Sequence, residues 1–474
     1  METQLWAGFA RTDITPVTGN IPLAGYGAVQ FRIAARTLDQ LRCHAVALGN
    51  GSKPEAVTMT ADLVNMPEEL YKNCAAAVAE KLGIPAERVM IGGTHTHSGP
   101  SIDSVEFDSI KAYRELLVTR LAEVAVRAAA DMKPAKISYG SMEVGHEGGR
   151  LNFTRHYLMA KIEDKDKADR EVHEVGDNFG DIYASDRAHY CYVAHTEEAD
   201  HTMQLVRFER EGADDIVLIN FQAHATVTGG FNKLNMSADF PGAIVTQAEK
   251  LIPGIKCVYL QGACGNLNWK SRMVEETIPG ITMDFHSDVT AYSTALAYHV
   301  QLILEKHMQA SGKGGFDVIH DEPVYTYDHA DDSRVEDAKL CREQHEKYGR
   351  TPEVTAFCRK MGFNSVYHAA AAIRKATAPA GNSFRMNALR FGDCAMITAP
   401  VEMFNATGMD IKARSPFAQT LVKGYSCGSR SYLPNAASPK ECYERNVCVF
   451  ASGVAEQAAD HYVELLQELK KREQ

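Results

Sequence analysis

Between residues 56 and 93 the chain alternates two kinds of segment, and this alternation restricts its fold more than any other feature. AVTMTADLV (56–64) is apolar and rich in β-branched residues, and RVMIGG (88–93) is apolar again. Between them, PEELYKNCAAAVAEKLG (67–83) carries apolar residues at helical spacing and stops on glycine. Strand, helix and strand at these lengths make a βαβ unit. A long helix follows over roughly 104–132, then the strand KISYGSMEV. The rhythm resumes with the strands TMQLVRFER (202–210) and DIVLINFQAHATV (215–227), a helix after Pro241, the strand IKCVYLQGACGN (255–266) and a helix over about 291–308. The expectation is an α/β fold, a large mixed and substantially parallel sheet with helices on its faces. RMNALRFGDCAMITAP (385–400) reads as a hairpin turning at Gly-Asp, and 451–472 as a closing helix. The charged stretch 324–380 lacks strand signal and reads as a helical insertion or lid within a single domain spanning residues 1–474.

Composition narrows the partners. A net charge of −11 with no dense basic run argues against nucleic acid. No apolar run reaches the length of a membrane span, so no stable membrane insertion is expected. METQLWAGFARTDITP has no basic start followed by an apolar stretch, so the expected location is the cytoplasm. The 11 cysteines are scattered without a CxxC pair and read as reduced thiols, mostly in the core. Oligomeric state leaves no mark in the sequence.

Four polar turns sit at the carboxyl ends of apolar strands: 94–98, 222–226, 262–268 and 400–403. Sites gather at such ends in open α/β sheets. The first turn holds His95 and His97 in THTHSGP (94–100); two residues apart on extended backbone, they share a face. His224 ends the strand in NFQAHATV, and Glu402 follows CAMITAP. Imidazole is the commonest metal ligand near neutral pH. Two histidines, a carboxylate and an open position make a familiar catalytic zinc arrangement. Each residue also has a plainer reading: turn histidines bonded to backbone, a satisfied buried histidine at 224, a helix cap at 402.

THTHSGP after a strand resembles the signature of the neutral/alkaline (non-lysosomal) ceramidases. The resemblance continues in order along most of the chain, through ARTDITP (10–16), TADLV (60–64), NFQAHATV with MSADFPG (236–242), PVEMF (400–404) and GYSCGSRSYLP (424–434). It implies one zinc ion held by His95, His224, Glu402 and Tyr432. A dication depresses a phenol's pKa as it does that of water, so a tyrosine ligand is chemically sound. It implies that His97 faces substrate and steadies a developing oxyanion. Arg155, in LNFTRHY (151–157), is similar to the family's arginine, with Arg150 as the alternative.

The departures from the family shape the expected chemistry. Its nucleophilic serine falls on Gly265 here, and QGACGNLN (261–268) contains no serine. Cys264 sits one residue early. The amides of this turn, with Asn266 or Asn268, are candidates for binding substrate or a water. No counterpart of the family's C-terminal β-sandwich is expected from residues 1–474. The expectation is therefore a zinc-dependent hydrolase cleaving an amide or related acyl bond of a soluble small molecule or glycoconjugate. A metal-activated water would replace the serine, and ceramide is not the expected substrate. Asp62 and Asp239 are the candidates for a side-chain base. The alternatives are a metal-dependent carbohydrate-active enzyme or lyase on the same scaffold, and a non-catalytic metal- or ligand-binding relative. An amidohydrolase barrel fits poorly, because several strands precede the histidine pair.

Overall fold

The computed structural model describes residues 4–17, 19–144, 151–176, 189–230, 233–269, 285–329, 332–439 and 442–473. A nine-stranded sheet dominates. Its order runs Ile255–Gln261, Asp215–Phe221, Thr202–Arg210, Lys133–Glu143, Trp6–Asp13, Arg42–Gly49, Ala56–Ala61, Val89–Gly93, with Gln309–Ala310 also pairing onto Lys133–Glu143. The mixed α/β architecture agrees with the sequence, but the sheet is less parallel than its rhythm suggests. Only the end pairs, Asp215–Phe221 with Ile255–Gln261 and Ala56–Ala61 with Val89–Gly93, are parallel. The middle is antiparallel because short connections, such as 50–55 and 211–214, return the chain directly beside itself. Helical crossovers occur only at the two ends, through Glu68–Leu82 and Asp239–Leu251.

Both crossover helices follow their residue patterns. Glu68–Leu82 buries Leu70, Tyr71, Cys74, Ala75, Val78 and Ala79, an i, i+3/i+4 stripe, and ends on Gly83 in the left-handed conformation. The long helix, Asp108–Ala130, starts four residues later than expected from sequence and packs on the same face.

A second sheet has the order Phe316–Asp321, Met386–Phe391, Cys394–Thr398, Gln419–Lys423. Its central pair is the hairpin expected at Gly392-Asp393. Between it and the first strand, three helices (Val335–Tyr348, Pro352–Lys360, Val366–Thr377) enclose their own small core of Ala338, Cys341, Val354, Cys358, Phe363 and Ala369. The helical excursion is therefore present, bracketed by the short pair Val324–Thr326 and Gly381–Ser383. Sequence reading missed a three-stranded sheet of Tyr190–His195, His156–Lys161 and Val172–Gly176, whose short strands lack a clean alternation. Among the described residues, no helix is long and apolar enough to cross a membrane.

The segment after Gln419–Lys423 joins the two parallel ends of the main sheet. Gly424 N–H donates to Gln261 O at one end; Gly93 N–H donates to Tyr425 O, and Cys427 N–H to Ile91 O, at the other. This brings strand ends together that lie far apart in sheet order. Buried Asn220 holds the same joint: its Nδ2 donates to Leu260 O and Val422 O at 2.9 Å each, and its Oδ1 accepts from Val422 N–H. Asn220→Ala strands one donor and two acceptors in a dry interior. It is expected to lower unfolding free energy by about 3 kcal/mol, read from urea denaturation.

Candidate metal centre

His95 follows Val89–Gly93, but its backbone is not extended. It adopts φ 64°, a conformation costly for a residue with a Cβ. The kink turns its ring so that Nδ1 meets Val64 O at 2.7 Å, leaving Nε2 free to face inward. The ring of Tyr425 stacks on it at 3.8 Å between centroids. His224, after Asp215–Phe221, is anchored in the same way: its Nδ1 meets Cys264 O at 2.7 Å and Leu267 O at 3.0 Å. Anchoring of Nδ1 by a carbonyl fixes the tautomer whose Nε2 can bind a metal.

Glu402 closes the set. Its Oε2 lies 3.5 Å from His95 Nε2 and 3.5 Å from His224 Nε2. His224 Nε2 and Glu402 Oε2 are buried and make no hydrogen bond. Donors about 2.0–2.2 Å from a shared tetrahedral ion stand at such separations. Burial would raise the Glu402 carboxyl, but the imidazoles of His95 and His224 hold it well below the usual carboxylate range. Burial, followed by the nearby charge of Arg155, lowers His224 to about 4. Inward-facing imidazole nitrogens around one buried carboxylate suit a cation, and the residues present fit a divalent metal.

His97 joins the cluster, its Nε2 3.1 Å from His95 Nε2. The ring nitrogens of His95, His97 and His224 are mutually within metal-sharing range. Burial, then the His95 and His224 rings, pushes His97 well below its ordinary value, so it is neutral at neutral pH. Its ring sits against the turn at Gly25, where a Cβ would come within 2.4 Å of the imidazole. Buried Arg32 secures this wall by donating to Leu23 O and Ala24 O and lying 4.7 Å over the Tyr26 ring, which meets His97 edge-on. Tyr432 is paired in register with Glu402 between two short parallel strands, Glu402–Met403 and Tyr432–Leu433. Arg155 lies 5.9 Å over the Tyr432 ring and donates to Gly265 O.

Other sequence candidates are occupied elsewhere. Asp62 accepts from Arg42 N–H and the Thr94 hydroxyl; Asp239 accepts from Thr228 O–H and from the amides of Val227, Thr228 and Phe240. Both carboxylates hold loops together. Asn266 is tied at both ends of its amide, Oδ1 to Asn405 N–H and Nδ2 to Glu197. Asn268 lies in a two-residue strand paired with Phe153. Arg150 lies outside the described residues.

The 262–268 turn has no room for a side chain at residue 265, where the sequence resemblance would put a serine. A Cβ on Gly265 would stand 2.6 Å from Glu402 O and 3.0 Å from Met403 O, both backbone. The Cys264 thiol is fully buried, accepts from Gln261 Nε2 and meets the Tyr425 hydroxyl at 3.1 Å. Burial pushes it up to about 12. Cys264 is thus expected to resist iodoacetamide in the folded chain, and Cys264→Ala to keep turnover within a few-fold of the parent. Peptide mapping after labelling and a rate assay check this pair.

Tyr425, Arg32, Glu197 and Glu444 were not found by sequence reasoning. Tyr425 had a signal, since it shares a segment with Tyr432; the others had none.

A scan against protein-family models and a search of the curated proteins return no match. Solved structures do match. The chain is similar to the neutral ceramidase from Pseudomonas aeruginosa, at a TM-score of 0.70 and 16% identity over 100% of this chain and 75% of that one. A structure described as ceramidase complexed with C2 matches at 0.69 and 15% identity, over 99% of this chain and 76% of that one. The fold is that of a neutral ceramidase-like catalytic domain.

Proposed function

We propose that the protein is a zinc-dependent hydrolase that cleaves an amide or related acyl bond of a soluble small molecule. One observation carries this reading: His95 Nε2, His224 Nε2 and Glu402 Oε2 converge from three separate strand ends, two of them as buried atoms with no other partner. Leaving such atoms unpaired costs about 1–3 kcal/mol each, more for charged groups, which a bound cation removes. His95, His224, Glu402 and Tyr432 would hold the ion, which would polarise the scissile carbonyl and acidify a water.

The chain's own groups take the remaining tasks. His97, neutral and beside the cluster, donates to the oxygen on which negative charge develops. Arg155 adds a fixed positive charge on the same side. The tight turn at Gly265, the buried Cys264 thiol and the lack of serine in 261–268 support water rather than a side chain as nucleophile. The fold similarity supports hydrolysis of a C–N bond as the reaction class.

Exhaustive chelation is expected to remove at least about a thousandfold of the activity, and added zinc to restore it. Turnover of a panel of N-acyl compounds in heavy-oxygen water must place one solvent oxygen in the acid product. Activity that survives metal removal, or products free of solvent oxygen, would overturn the reading.

A further inference from the structure

Arg155 raises a problem of charge. It is only 9% exposed, and it stands near His97 and His224 and so near the proposed dication. A buried cation in such company needs an anion at hand, or the fold loses several kcal/mol. Glu444 supplies one. It is fully buried, with Oε1 3.0 Å from Arg155 Nη2 and Oε2 3.3 Å from His156 Nε2. Burial works against this carboxylate, yet Arg155 and His156 bring it down to about 2, so it is ionised throughout the working range.

The same network reaches the Gly-rich turn. Arg155 N–H donates to Asn266 O at 2.8 Å, and its guanidinium donates to Gly265 O. The other nitrogen of His156 lies 3.9 Å from Glu197 Oε1, which accepts from Asn266 Nδ2. Arginine and turn are thus held by one network of charges, with Glu197 at its part-exposed edge and fully buried Glu444 as the member that faces the guanidinium.

We propose that Glu444, backed by His156, is a positioning residue that fixes the Arg155 guanidinium against the metal cluster and aims it at the oxyanion of the bound substrate. This rests on the reading of Arg155 given above. His156, Cys442 and Glu444 are also close enough to share an ion. Against that, both Glu444 oxygens already face Arg155 and His156, and structural zinc sites almost always have four ligands. Charge bracing therefore accounts for the geometry better, and a second ion becomes an outcome of the test.

The test uses the whole zinc-loaded protein with inorganic phosphate as the oxyanion probe, by calorimetry, beside zinc content and crystal structures. Glu444→Gln keeps shape and removes charge. It is expected to weaken phosphate binding about tenfold, to leave zinc at one per chain, and to release the guanidinium from Gly265 O. Arg155→Ala is expected to lose as much, and the double variant no more than Arg155→Ala alone, because the two act as a unit. Glu444→Asp should recover part of the loss, which a purely structural defect would not show. The inference falls if Glu444→Gln binds phosphate as the parent does, if the two losses multiply, or if one of two bound ions disappears with Cys442→Ser. A chain that takes up no zinc defeats the hydrolase reading instead; the arginine's place in the Glu444→Gln crystal then decides the brace alone.

Discussion

Gly265→Ser is expected to damage the protein rather than install a nucleophile. The new Cβ would sit 2.6 Å from Glu402 O and 3.0 Å from the Glu402 carbonyl carbon and from Met403 O. None of these is the far end of a flexible side chain, so the 402–403 backbone must move. Gly265 N–H also donates to Met403 O at 2.8 Å, so the two segments are already in register contact and cannot separate without losing that bond. Overpacking of this kind costs roughly 1–3 kcal/mol, and here it falls on the ligand-bearing segment itself. The expected result is a midpoint of unfolding several degrees lower and zinc affinity down at least about tenfold, measured by competition with a chromophoric chelator. A variant as stable as its parent that forms an acyl-enzyme with an activated ester would contradict this account of the turn.

His224→Ala and His97→Ala are expected to fail in different ways, with the largest losses of any substitution considered. His224 has Nδ1 anchored by Cys264 O and Leu267 O, while its Nε2, 3.5 Å from Glu402 Oε2, makes no hydrogen bond and faces the proposed ion. Removing it leaves the carboxylate with one imidazole fewer and the proposed ion with one ligand fewer. Bound zinc should fall to background and activity by about three orders of magnitude or more. His97 differs. Its Nδ1 is buried without a partner, whereas both neighbouring histidines have Nδ1 anchored by a carbonyl. An imidazole without that anchor is a poorer ligand and a better substrate contact. His97→Ala should therefore keep zinc near one per chain and lose about a hundredfold or more in kcat. Zinc content and kcat measured on the same preparations separate the two roles; loss of zinc from His97→Ala would make it a ligand.

The residues that converge were legible because each follows an apolar strand and is of a type that strands seldom carry at their ends. His95, His224 and Glu402 stood out on that ground, and the structure brings them within 3.5 Å contacts. The means of convergence was not legible. The kink at His95, φ 64°, has no signature in THTHSGP, and the anchors Val64 O and Cys264 O are backbone atoms any sequence would offer. The mixed sheet was legible, but the share of its parallel pairs was not, because apolar runs look alike in parallel and antiparallel pairs; short connections such as 211–214 were the better guide. Glu444 carries no signal in the sequence: it lies in the five-residue helix Tyr443–Val447, and only the fold puts its carboxylate fully inside. Arg32 is likewise silent in the sequence, and it is the fold that buries it behind His97 under carbonyl oxygens.

The central claim is that one divalent ion belongs between His95, His224 and Glu402. Anomalous X-ray diffraction at the zinc edge, on crystals of the protein purified without chelator, tests it most directly. The account predicts one strong peak about 2.0–2.2 Å from His95 Nε2, His224 Nε2 and a Glu402 oxygen. A folded protein at saturating zinc with no peak there, or with its only peak among His156, Cys442 and Glu444, would contradict it.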